Sequence, residues 1–169
     1  MKMKVILIGF ILLSTLPGAS QSQEKIYAVM MLNFAKGMQW PAIYSKGDVV
    51  IGVFGYPPLV AELQSTISKV RVNNRVVRVK EYSSIDEIES VHILFVPAFK
   101  ARSFESIVNK LAHSPTLLIT NKPGYARKGA GVNFLLLNGT VKYELNARSI
   151  ENRGIRISSN VKGLGIVVE

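Results

Sequence analysis

Three runs of apolar residues, each of strand length and each bounded by glycine or proline, most constrain what this chain can fold into. They read "DVVIGVFGY" from Asp48 to Tyr56, "VHILFVPA" from Val91 to Ala98 and "PTLLITN" from Pro115 to Asn121. An unbroken apolar run suits a strand covered on both faces, as inside a parallel sheet; a half-exposed strand alternates instead. Helix-like segments lie between the runs, one over Leu59 to Ser68 with Pro57 or Pro58 in its first turn, and one from about Arg102 to Ala112. "RVVRVKEY" alternates, with Val77 and Val79 on one side and Arg78 and Lys80 on the other, and Ser84 opens a short acidic helical turn. Strands alternating with helices imply an α/β domain with right-handed crossovers.

The segment before the first run, "EKIYAVMMLNFAKGMQW", is helical by spacing. Tyr27, Met30, Met31, Phe34 and Met38 define an apolar face that Ile26 and Val29 widen. Pro41 disfavours helical geometry at Trp40, so the helix should end just before or at the chain's one tryptophan. Trp40 then reads as a structural corner, its indole body buried and its N–H in need of a partner. An exposed recognition tryptophan is the alternative.

The end of the chain differs. In "GVNFLLLNGTVKYELN" the dipeptide Asn138-Gly139 sits between two strand-like runs, which signals a hairpin with a two-residue turn. Pairing Leu137 with Thr140 gathers Val132, Phe134, Leu136, Val141, Tyr143 and Leu145 on one face. Asn133, Lys142, Glu144 and Asn146 fall on the other with Leu135 and Leu137, and a one-residue slip would destroy that division. Asn146 reads as a helix N-cap, Ala147 to Arg153 as the helix, and Gly154 as its left-handed stop. Leu145 and Ile150 occupy the two positions of a hydrophobic staple. The tail "ISSNVKGLGIVVE" stays open between a glycine-weakened helix capped by Ser159 or Asn160 and a final strand "GIVVE".

The expectation is a single α/β domain of about five or six strands, with a mostly parallel central sheet flanked by helices in a flavodoxin- or Rossmann-like layout and a C-terminal antiparallel hairpin. It should occupy residues 23–169. Residues 1–20 stand apart: Lys2 and Lys4, an apolar run from Val5 to Leu16, then "PGASQSQ" have the three-part layout of a secretory signal, with cleavage after Ser20 or Ser22. The apolar run is shorter than the roughly 20 residues of a membrane span. A soluble exported protein follows.

An exported chain without cysteine relies on burial for stability and has no thiolate zinc site or cysteine nucleophile. Removing Lys2 and Lys4 from the 21 basic residues, against 11 acidic ones, leaves a net charge near +8. Outside the cytoplasm such a charge draws a protein weakly toward anionic lipid or acidic protein surfaces, or serves solubility alone; nucleic acid is not the partner it implies.

No catalytic pattern answers this fold. His92 lies inside a buried strand and His113 in a loop, neither beside a patterned carboxylate or serine. Phosphate-loop, dinucleotide, nucleophile-elbow and zinc-protease motifs are all missing. "GYARKGAG" at 124–131 is a candidate anion cradle or a plain loop, and "NGT" at 138–140 matches a glycosylation pattern that the hairpin already explains. Arg71, Arg75, Arg78 and Lys80 form the densest basic cluster, read as a solvated strand face with a docking patch as the lesser alternative. A binding or regulatory module is favoured over an enzyme, with no catalytic residue, metal or cofactor; an exported small-ligand or anion-binding module is the alternative reading, and an unrecognised α/β enzyme a more distant one. The hairpin's second face offers Leu135, Leu137, Lys142 and Glu144 to a partner, and Ile150 borders them if it does not pack on Leu145.

The order of "IYAVMMLNFAKGMQWP", "VVIGVFG", "NNRVVRVK", "VHILFV", "GAGVNFLLLNGTVKYELN" and "GIRISS" resembles the YfiR family over roughly Lys25 to Ser159. The resemblance marks Phe34, Trp40, Pro41, Tyr143 and Asn146 as its structural motif. It implies a periplasmic regulator that binds and represses the periplasmic domain of an inner-membrane diguanylate cyclase, lowering cyclic-di-GMP and holding back biofilm formation; other members look associated with sensor kinases. Homodimer formation stays open. This chain departs from the family in having no cysteine pair, so disulfide control cannot apply, and in carrying "NVKGLG" where the last helix is usually leucine-rich.

Overall fold

The computed structural model describes residues 22–68 and 70–169; the segment read as a secretory signal, residues 1–20, lies outside them. Helix α1 (Gln23–Gly37) leads into a two-residue strand β1 (Met38–Gln39), and β2 (Val49–Phe54), α2 (Pro57–Ile67), β3 (Arg71–Val72) and β4 (Arg75–Tyr82) follow. Then come β5 (Ile93–Val96), α3 (Phe104–Lys110), β6 (Leu117–Thr120) and the hairpin β7 (Val132–Leu137) and β8 (Thr140–Leu145). The chain closes with α4 (Ala147–Glu151), β9 (Arg156–Ile157), α5 (Ser159–Leu164) and β10 (Ile166–Val167).

Among the described residues one sheet has eight strands in the order β10-β8-β7-β6-β5-β2-β4-β3. Its centre, β4-β2-β5-β6-β7, is parallel throughout. Both flanks turn: β3 pairs with β4 and β7 with β8 antiparallel, while β10 returns parallel to β8. The sheet is therefore mixed and wider than the five or six strands expected, because the two-residue β3 carries too little pattern to be read and the tail left open as helix or strand adds β10 at the other edge. One edge, β3, is joined to β4 by Asn73-Asn74, with φ of 49° and 65°. Asparagine tolerates this left-handed backbone, so the pair makes a second two-residue hairpin turn that the sequence reading passed over.

The apolar runs are buried on both faces, as their lack of alternation requires. On β5, Ile93 and Phe95 join the core beneath α1 and α2, whereas Leu94 and Val96 join the core beneath α3. Three layers result, helices on either side of the sheet. Gly52 on β2 is needed for this packing: a Cβ there would stand 2.6 Å from the Tyr82 ring and 3.0 Å from both Leu94 and Val91.

Local differences from the sequence reading have physical causes. Helix α1 ends at Gly37, three residues before Trp40, because Met38 and Gln39 pair with Ile157 and Arg156 as a separate antiparallel ribbon. Gly37 also lets α5 approach, since a Cβ would meet Val161 at 2.5 Å. Val29 faces solvent, and the buried stripe runs instead through Tyr27, Ala28, Met31, Leu32, Phe34 and Ala35. The acidic turn after Ser84 is not helical; the Glu87 carboxylate accepts the main-chain N–H of Ser83 at 2.8 Å and of Ser84 at 3.4 Å. Ahead of α3, residues Ala98–Ser103 form a 3-10 turn, which shortens the expected helix. The ambiguous tail contains both a helix, α5, and a strand, β10.

Candidate functional site

The Trp40 corner is built around His92. The indole stands edge-on to the imidazole at 5.4 Å, and Tyr44 does the same from another side at 5.6 Å. His92 Nδ1 accepts the N–H of Val50 at 3.1 Å, and Nε2 lies 2.9 Å from the Tyr44 carbonyl. Both ring nitrogens are thus committed to main chain, and burial pushes the histidine's pKa down. The Arg75 guanidinium closes the corner by donating to the carbonyls of Gly47, Lys46 and Asp48. Trp40 is only partly buried, yet its Nε1 is enclosed and has no partner. This is a clamp between the first helix and the sheet. His113 lies exposed in its loop.

The 124–131 loop has little left with which to hold an anion. The amides of Tyr125, Lys128, Gly129, Ala130 and Gly131 all donate to main-chain carbonyls. Lys128 sits 4.8 Å over the Tyr125 ring, and Asn146 and Ser149 bind the loop's carbonyls at Ala126 and Gly129. Asn146 also caps α4 by accepting from Ser149 N at 2.8 Å, as its position before the helix implied. In the basic cluster, Arg75 serves the clamp, Arg78 pairs with Asp48, and Lys80 lies 3.9 Å from Glu89. Two of the four basic residues, Arg78 and Lys80, are thus met by carboxylates. Among the described residues no group of three His, Asp or Glu side chains is placed to hold a metal, and no helix is long and apolar enough to cross a membrane.

The hairpin has the register read from its turn, Leu137 opposite Thr140 through Val132 opposite Leu145. Phe34 and Tyr143, two of the motif residues, meet edge to face at 5.0 Å and seat α1 on the hairpin. Of the residues read as partner-facing, Lys142 is exposed, Leu137 is 45% exposed, and Leu135 and Glu144 are half-buried. Ile150 is 1% exposed and belongs to the main core with Leu145, so it does not border the patch. Glu144 has a structural partner that its sequence position did not reveal: the buried amide of Asn133, directly across the strand, donates to it at 2.7 Å. Leu136, assigned to the core by alternation, is 61% exposed because the hairpin's tip extends beyond the helical layer.

Beside that tip lies a groove of about 620 Å³ between α1, β8 and α5. Met30, Phe34, Val141, Tyr143, Val161 and Leu164 supply its apolar lining, and Lys36 and Lys142 its charge. The Tyr143 hydroxyl donates to the Val161 carbonyl at 2.6 Å and pins α5 along one side. Met30 was legible in the helical stripe; Leu164, between Gly163 and Gly165, was not.

The described residues form a three-layer α/β domain with an apolar groove that carries two lysines. The chain belongs to the YfiR/HmsC-like family, whose model matches residues 24–165. Comparison with curated proteins gives no match. Membership carries a periplasmic, regulatory role in general.

Proposed function

We propose that this chain is an exported, non-enzymatic regulator that binds the periplasmic domain of an inner-membrane signalling protein, a diguanylate cyclase or a sensor kinase. Through a cyclase it would lower cyclic-di-GMP and restrain biofilm formation. One observation carries the docking reading: of nine large apolar side chains exposed among the described residues, Leu136 and Leu137 stand at the hairpin tip and Leu164 lines the groove against β8, while Ile166 and Val167 lie at the other end of β8, beside Glu144 and Leu145. Exposed apolar groups gathered in this way mark interaction surfaces, whereas scattered ones need no explanation. Lys36 and Lys142 give that groove a positive rim suited to an acidic partner surface. Net charge near +8 in the mature chain also favours a weak attraction to anionic lipid, which would keep the protein close to its membrane partner.

The test is capture of partners from a cross-linked cell envelope, comparing the wild type with a Leu137→Asp, Lys142→Glu variant. Both positions are exposed, so the variant should fold and be exported normally while losing the membrane signalling protein. Capture at wild-type level would exclude the hairpin tip as the contact. The enzyme alternative is addressed by a His92→Gln, His113→Ala variant, which should keep the cellular phenotype.

A further inference from the structure

The sheet's outer edge is left partly uncovered. Strand β10 pairs only with Glu144 and Leu145 of β8. From Thr140 to Tyr143 no strand lies outside β8 among the described residues. The hairpin register decides which main-chain groups point there. Leu137 and Thr140 close a two-residue turn, so Thr140, Lys142 and Glu144 exchange their bonds with β7, and Val141, Tyr143 and Leu145 turn theirs outward. The Leu145 carbonyl agrees with this parity, accepting the Val168 N–H on the outer side at 3.0 Å. The Val141 N–H and C=O and the Tyr143 N–H therefore face the open edge.

The groove lies against that same edge. Val141, Tyr143, Phe34 and Leu164 line it, and Lys36 and Lys142 are among its lining residues while no carboxylate is. Neither lysine forms an ion pair among the described residues. An open strand edge asks for an extended chain, an apolar slot beside it for every second side chain, and two free ammonium groups for carboxylates.

We propose that the β8 edge from Thr140 to Tyr143, with the groove against it, takes an extended acidic segment of a partner protein that adds a strand to the sheet. Alternate residues of the segment place apolar side chains toward Phe34, Val141 and Leu164, and the residues between them place carboxylates on the opposite face against Lys142, with Lys36 adding positive charge on the groove side. The proposal rests on the docking reading above and specifies the partner's contact element. A second copy of this chain fits the edge less well, because pairing β8 with β8 about a two-fold axis brings Lys142 toward Lys142. An anionic lipid surface matches the lysines but offers no strand.

The experiment uses the mature chain and a blocked peptide of alternating Glu and Val as probe. Binding is followed by amide chemical shifts of residues 140–143 and by titration. Val141→Pro removes an outward-facing donor and leaves the bonds to β7 intact, a substitution that edge strands tolerate. It should weaken the peptide about tenfold, the loss expected for one hydrogen bond and its neighbours. Lys36→Glu with Lys142→Glu, which touches no main chain, should weaken it at least as much. Unchanged affinity in both variants, no binding of the probe, or a wild-type dimer that Val141→Pro dissolves would overturn the proposal. Loss of envelope capture in the Leu137→Asp, Lys142→Glu variant with full capture by Val141→Pro would leave docking in place and exclude strand addition.

Discussion

The main-chain N–H of Val50 donates to Nδ1 of His92 across 3.1 Å, and this bond sets the histidine's state. With Nδ1 accepting, the neutral ring carries its proton on Nε2, which donates to the Tyr44 carbonyl at 2.9 Å. A second proton on Nδ1 would meet the Val50 N–H donor to donor. It would also place a cation beside the Arg75 guanidinium, 3.0 Å from Nε2. Burial lowers the pKa from its ordinary 6.5, the Tyr44 carbonyl offsets part of that, and Arg75 lowers it again.

A pH dependence follows from the sign of that shift. The unfolded chain takes up the proton near pH 6.5 and the folded chain only at lower pH, so the unfolded state binds more protons between the two. The stabilisation is fully present above the unfolded value and is lost as pH falls toward the lowered one. Urea unfolding midpoints should therefore drop between about pH 7.5 and about pH 5.5. His92→Gln, whose amide oxygen replaces Nδ1 as acceptor for Val50, should flatten that part of the profile. A wild-type midpoint independent of pH over this range would exclude the mechanism.

Glu144 combines a surface position with a structural bond, and the two can be separated. Its carboxylate accepts from the Asn133 amide, whose own Oδ1 is already buried without a partner. Glu144→Ala leaves the buried amide unpaired as well, which should cost about 1–3 kcal/mol in chemical unfolding. Glu144→Gln keeps an oxygen acceptor toward Asn133 and should lose distinctly less. Equal losses in the two variants would show that the bond to Asn133 contributes nothing.

The contrast between the hairpin and Glu144 shows what the sequence could and could not convey. Asn138-Gly139 and strict alternation leave one workable register, so the pairing of Leu137 with Thr140 was readable from one dimension. The buried runs were readable for the same reason, since residues such as Ile93 and Leu94 must go to opposite faces. The groove was not, because Met30, Val141 and Leu164 come from three distant segments and meet only through the fold. Alternation likewise assigns Leu136 a face but cannot say that the helical layer stops short of it.

Two glycines should respond oppositely to alanine. In Gly52→Ala the new methyl group meets the Tyr82 ring at 2.6 Å in a packed interior, and the strain should cost about 1–3 kcal/mol. Gly163 lies in α5 with nothing within 4 Å of its would-be Cβ, so alanine there should add about 0.5–1 kcal/mol by reducing the unfolded chain's freedom. Thermal unfolding of both variants checks this. Destabilisation by Gly163→Ala would mean that α5 is not helical in solution.

The start of α1 discriminates between the two cleavage sites offered by "PGASQSQ". Ser22 is the helix N-cap, its hydroxyl accepting from Lys25 N at 3.3 Å and its carbonyl from Ile26 N at 3.2 Å. Two residues on, Glu24 accepts from the Tyr56 hydroxyl at 2.5 Å and ties the first turn to the start of α2. That bond holds the Glu24 carboxyl below its ordinary pKa and pushes the Tyr56 hydroxyl up to about 12. Cleavage after Ser20 preserves all of this. Cleavage after Ser22 deletes the cap and leaves a new α-ammonium on Gln23, the first helical residue, where the helix dipole already presents positive charge. Losing a serine cap costs about 0.5–2 kcal/mol before that repulsion is counted. Sequencing the protein from its native envelope should accordingly give Gln21 as the first residue, and Ser22→Ala should lower the unfolding temperature of the mature form. A start at Gln23 would reject the argument from the cap, and a cytoplasmic chain beginning at Met1 would reject export itself.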